Sequence, residues 1–189
     1  MRVIGRAQHL LTRASPTVTL TRVQSGVGQL TIEALIGEAV GDLRLGAAYQ
    51  LRSGGSSVLA LALGRRFAPA SGRRPVLIAG RDNGYERIGV DLRQVPDIER
   101  IGILAFSEAR QSLTWGGTLV LTTYGGARIE LPLESLYPGT TAVLMSLYNV
   151  DGELVVRAEM ETIAGDVREA ARAYGYDRVT WRDDRNPVD

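Results

Sequence analysis

The chain has 189 residues, 44% of them hydrophobic, with 22 basic and 21 acidic side chains and a net charge of +1. That length and composition fit one domain able to bury roughly 70% of its unfolded surface without a staple, and so even a charge balance creates no overall field to recruit nucleic acid or an anionic membrane. Cysteine is absent, every basic residue is arginine and His9 is the only histidine, which excludes thiolate metal sites, lysine Schiff-base and phosphate-loop chemistry, histidine triads and two-histidine metal centres.

Residues 1–13 read as a flexible basic-apolar leader outside the strand pattern. It lacks the run of about 7 to 15 apolar residues that a signal peptide needs, and no segment reaches the roughly 18 apolar residues of a membrane span, so the expected location is cytoplasmic. Pro16 opens a β-branched strand over 17–22, and Leu30, Ile32 and Ala34 alternate with Thr31, Glu33 and Leu35 in the next. Over 43–51 every odd position is apolar and the even ones are small or polar, the clearest period-2 pattern in the chain. A buried strand is expected at 58–63, and 76–79 leads from a loop into the next stretch.

Between them, Arg65, Arg66, Arg73 and Arg74 surround Phe67 and Pro69. Four guanidinium groups in one loop form a candidate anion or partner patch, because their planar donor forks match phosphate and carboxylate oxygens. Aromatic interleaving is limited to one Phe, so no specific nucleic-acid partner is expected.

The stretch from Gly80 to Leu92 organises the rest. Asp82, Asn83 and Glu86 place three hard oxygen side chains within five positions, with Gly84 free to turn, which is the residue chemistry of a calcium loop and equally of an ordinary turn. Ile88, Val90 and Leu92 then read as a half-buried strand and 101–106 as a central one, apolar on both faces. Further strands follow near 119–122, 129–131, 141–148 and 153–160, the last two joined by Asp151-Gly152, the strongest hairpin signal present. Asp166 and Glu169 form a capping box for a helix over 166–174, stopped by Gly175. A last strand at 178–182 precedes a tail, 183–189, expected to be frayed. The count predicts an all-β domain over 14–182, a two-sheet antiparallel β-sandwich with one helix near its C-terminus.

The order Gly41-Asp42-Leu43-Arg44-Leu45-Gly46, then Gly80-Arg81-Asp82-Asn83-Gly84 with Glu86, then Ile88 to Leu92 and the Val95-Pro96 turn, resembles the tellurium-resistance TerD family. The run from Ala173 to Trp181 is similar to its TerA branch, and the likeness spans about Pro16 to Trp181. The resemblance implies a calcium-binding β-sandwich tied to tellurite and general stress responses, with other proteins in a membrane-associated assembly as partners and no catalysis. On that pattern Asp42, Asp82, Asn83 and Glu86 are the metal ligands. Arg44 and Arg81 stand where the family carries acids, so calcium is expected to bind weakly or not at all. The readings are a binding module with a degenerate calcium site, a metal-free scaffold in which Arg44 and Arg81 replace the ion, and a hydrolase using Asp82 and Glu86.

Overall fold

The computed structural model describes residues 7–69 and 74–188. Thirteen strands run in chain order: β1 (Ala7–Leu10), β2 (Thr17–Thr19), β3 (Gln29–Leu35), β4 (Leu43–Leu51), β5 (Ser56–Ala60), β6 (Phe67–Ala68), β7 (Leu77–Asp82), β8 (Tyr85–Asp91), β9 (Ile98–Ser107), β10 (Thr118–Thr123), β11 (Ala127–Pro132), β12 (Thr141–Val150) and β13 (Glu153–Thr162). Among the described residues two α-helices, α1 (Arg22–Gly26) and α2 (Val167–Ala173), interrupt and follow them. The strands form a seven-stranded sheet ordered β1-β11-β10-β3-β8-β7-β6 and a six-stranded sheet ordered β2-β13-β12-β9-β4-β5. This is the mainly-β two-sheet architecture expected, with one parallel pair, β1 on β11, added to antiparallel neighbours.

Alternation decides what each strand buries. Leu43, Leu45, Ala47 and Leu59 face the other sheet, against Ile32, Ile88, Val90 and Leu121. Gly46 and Ala48, at even positions in the middle of β4, are small because a second layer covers that face: Ala48, Val58, Leu104, Phe106 and Val143 pack under Val167, Ala170, Ala171, Tyr176 and Val179. Gly102 on β9 shows how tight the cover is, since an added Cβ would stand 2.9 Å from the Tyr176 hydroxyl. A seven-residue helix is marginal alone. Here α2 is held by that packing and by its capping box, in which Glu169 accepts from Asp166 N at 3.1 Å.

Several expectations are corrected. The leader is partly ordered: β1 pairs with β11, and Leu11 is buried in the core. Residues 1–6 lie outside the described part. The strand expected over 17–22 ends at Thr19, because Thr21 and Gln24 form a capping box that turns the chain into α1. That expected over 58–63 ends at Ala60, where a 3-10 turn begins. No strand forms over 178–182; Trp181 makes only an isolated bridge to Pro187. The tail is not frayed, because Arg185 is buried in it and grips two other segments. Its guanidinium donates to Asp166 Oδ1 at 2.9 Å and Oδ2 at 2.7 Å, to the Ser107 carbonyl at 3.0 Å and to the Glu108 carbonyl at 2.9 Å. It also lies 5.2 Å over the Phe106 ring. Among the described residues, no helix is long and apolar enough to cross a membrane.

Candidate functional site

The β7–β8 hairpin carries most of the expected ligands. Asp82 pairs with Tyr85 across a two-residue turn, Asn83-Gly84, whose φ values of 48° and 85° are the left-handed pair that such a hairpin requires. Asn83 is therefore a turn residue, exposed at the tip. Asp82 is half-exposed and lies 3.7 Å from the Arg87 guanidinium.

Glu86 is different in kind. Alternation with Ile88 and Val90 turns it inward, where it is 5% exposed. A buried carboxylate must be paired or it costs several kcal/mol, on the order of an unscreened desolvation penalty. Arg81 supplies the pairing, donating to Glu86 Oε1 from Nε at 3.1 Å and from Nη2 at 2.6 Å. The other oxygen accepts from Leu45 N at 3.3 Å. β5 pairs with β4 only from Gly46 onward, which leaves the Leu45 N–H to Glu86. The side chain thus joins the two sheets at their mouth.

Asp42 serves another joint. Oδ1 accepts from Ser107 Oγ at 2.6 Å, and Oδ2 accepts from Ala109 N, tying the start of β4 to the end of β9. Burial pushes this carboxyl up, but the hydrogen bonds from Ser107 and Ala109 outweigh it and hold it below the usual carboxylate range. Beside it, Arg44 grips Glu108 Oε2 from Nε at 2.8 Å and from Nη2 at 2.7 Å.

The loops carrying these residues do meet. Gly37, Glu38, Gly41 and Arg44 face Gly84 and Glu86 across a cleft of ≈ 180 Å³. The ligand set does not assemble there: Asp42 is engaged with 107–109, Glu86 with Arg81, and Asp82 and Asn83 with the hairpin tip. Among the described residues, no three His, Asp or Glu side chains come together in a way that could hold a metal. Asp82 and Glu86 also form no carboxylate pair, since alternation sends them to opposite faces of the hairpin.

The arginine patch divides. Arg65 donates to the carbonyls of Val58 at 3.0 Å and Pro187 at 3.1 Å and to Ser57 Oγ at 3.2 Å, so it anchors the C-terminal segment. Arg66 lies 5.4 Å over the Phe67 ring, and Arg74 lines a hollow with Arg93 on the outside of the seven-stranded sheet. Arg73 lies outside the described residues.

Sequence reasoning missed Ser107, Glu108, Asp166 and Arg185 as the residues that lock this end of the sandwich. Asp166 was visible as a helix cap, but nothing local marks Arg185, 19 positions later, as its partner. Comparison with family models, with curated proteins and with solved structures found no match to this chain.

Proposed function

We propose that the chain is a non-enzymatic interaction module of the kind the tellurium-resistance resemblance implies, in which guanidinium groups hold the loops that a calcium ion would otherwise hold. The observation that carries this is the clasp of Arg81 on buried Glu86. A divalent ion on Glu86 would sit near that cation. At about 6 Å and an effective dielectric of about 20 the repulsion is roughly 5 kcal/mol before screening, against only about 8 kcal/mol for micromolar binding. Arg44, fixed on Glu108, adds a second positive charge at the rim of the same cleft. The reading includes a cytoplasmic location and protein partners in a stress assembly.

Calorimetric titration with calcium, paired with melting curves, tests it. The wild type is expected to show no binding tighter than about millimolar and no calcium-dependent rise in Tm. Submicromolar binding by the wild type would overturn the proposal. The degenerate-calcium reading draws on the meeting of the 37–41 and 84–86 loops across one cleft, and Arg44→Asp with Arg81→Asp separates the two: a gain of affinity in the double variant means that a cage survives beneath the arginines.

A further inference from the structure

On the outer face of the seven-stranded sheet, away from the cleft, two adjoining hollows of ≈ 520 Å³ and ≈ 280 Å³ share Gln29 and Ile78 in their linings. Gly80 on β7 leaves the floor of the second open, with nothing within 4 Å of where a Cβ would stand, whereas the Gln29 amide lies over Gly89 on β8. Arg74 and Arg93 flank one end, and Arg66 and Arg87 the other.

Charge in this groove is unbalanced. Asp91 is the one carboxylate in the two linings, and it already accepts from Arg93 Nε at 2.8 Å and Nη2 at 2.9 Å and from Gln94 at 3.0 Å. Arg93 holds that carboxyl below the usual range. Arg87 reaches only Thr31 Oγ1 at 3.3 Å and Asp82 at 3.7 Å. Arg66 and Arg74, both exposed, have no carboxylate partner among the described residues. Arg87 also stands directly opposite Glu33 in the β3–β8 pair, so Arg66 and Arg74 make up the local excess in a chain whose total charge is +1. The two ends are separated by the β8 segment from Arg87 to Asp91, roughly 13 Å at strand rise, too far apart for one phosphate group to touch both.

We propose that the groove binds a linear chain of phosphate groups, of the inorganic polyphosphate class. Guanidinium forks match phosphate oxygens bidentately, and the open backbone at Gly80, beside the Gln29 amide over Gly89, lets a narrow chain lie close to the sheet there. A nucleic-acid strand would need aromatic platforms for its bases, and among the described residues neither lining contains an aromatic side chain. An acidic peptide would need backbone partners of the kind a sheet edge provides; β3 and β8 are laddered on both sides, and β7 offers only its short edge over 80–82, beyond its pairing with β6.

The full chain, titrated calorimetrically with long-chain polyphosphate, orthophosphate, poly-dT and poly-glutamate, tests this. Polyphosphate is expected to bind at least tenfold more tightly than the other three. With about three arginines releasing counterions, its affinity should fall about 20-fold between about 50 and 200 mM salt. Arg66→Ala with Arg74→Ala should weaken binding at least tenfold. Gly80→Val, whose added Cβ meets nothing within 4 Å, should also weaken it while keeping every charge, with unchanged circular dichroism showing that the sheet is intact. Absence of polyphosphate binding, an affinity that neither variant alters, or equal binding of poly-dT or poly-glutamate would each overturn the proposal.

Discussion

Two arginine–carboxylate pairs hold this protein at places that differ in depth. Arg185 and Asp166 are each 10% exposed at the side chain, and the guanidinium also satisfies two carbonyls and covers Phe106. Arg81 is 44% exposed over a Glu86 that is 5% exposed. The first pair cross-links distant segments: helix cap, end of β9 and C-terminal tail. The second closes one hairpin against β4 of the opposite sheet. Coulomb energy alone would rank them alike, with closest contacts of 2.7 Å and 2.6 Å. Burial ranks them differently, because removing one member of a fully buried pair strands a charge that water cannot reach.

Arg185→Ala is therefore expected to be the most damaging change, costing about 3 kcal/mol in a denaturant titration, the low end for a buried pair because Asp166 keeps the Val167 N–H and has Arg110 3.5 Å away, and releasing the tail to proteolysis. A loss under about 1 kcal/mol would erase the distinction, since that is the worth of a surface pair. Next, Arg81→Ala leaves Glu86 inside with only the Leu45 N–H, and about 1–3 kcal/mol is expected, at the lower end because the guanidinium is partly solvated. Glu86→Gln in the same background should recover part of it, and a double-mutant cycle showing no coupling would mean the clasp contributes nothing.

Arg44→Ala, which removes a pair whose Glu108 side chain is 50% exposed, should cost less than about 1 kcal/mol, with a difference that shrinks as salt rises. The gentlest probe is acid. The side chain of Asn186, with the backbone N–H groups of Arg185 and Asn186, pulls the Asp183 carboxyl down to about 2. A depressed carboxyl contributes stability that is fully present above its unfolded value, about 3.9, and that is lost as pH falls through about 2. Tail contacts should thus loosen between about pH 4 and pH 2, read as a change in Trp181 emission in a Trp115→Phe background. A transition centred near neutral pH would contradict this assignment.

Legibility followed the range of the interaction. The alternation of 43–51 appears as β4, the Asp151-Gly152 signal as a hairpin turn with φ values of 53° and 86°, and the Asp166/Glu169 box as the start of α2. Each is settled within a few residues. The capping box that ends the strand near Thr19 was equally local, but the apolar spacing of Val18 and Leu20 masked it. At the site, sequence showed that Asp82-Asn83-Gly84 could serve as either turn or ligand loop. The pairing of Asp82 with Tyr85 and the inward turn of Glu86 separate those uses.

By itself, then, the sequence determined most of the central strands, their turns, the late helix and the absence of cysteine, lysine and histidine-pair chemistry, because period-2 burial, positive φ and side-chain inventory act on neighbours or on composition. Only the tertiary structure decided that a second layer covers β4 and β9, that Arg81 belongs to Glu86 while Arg44 belongs to Glu108, and that Arg185 locks the tail. A guanidinium on a long flexible stem can reach many carboxylates, so partner choice depends on which of them the folded sheets bring near and leave dry.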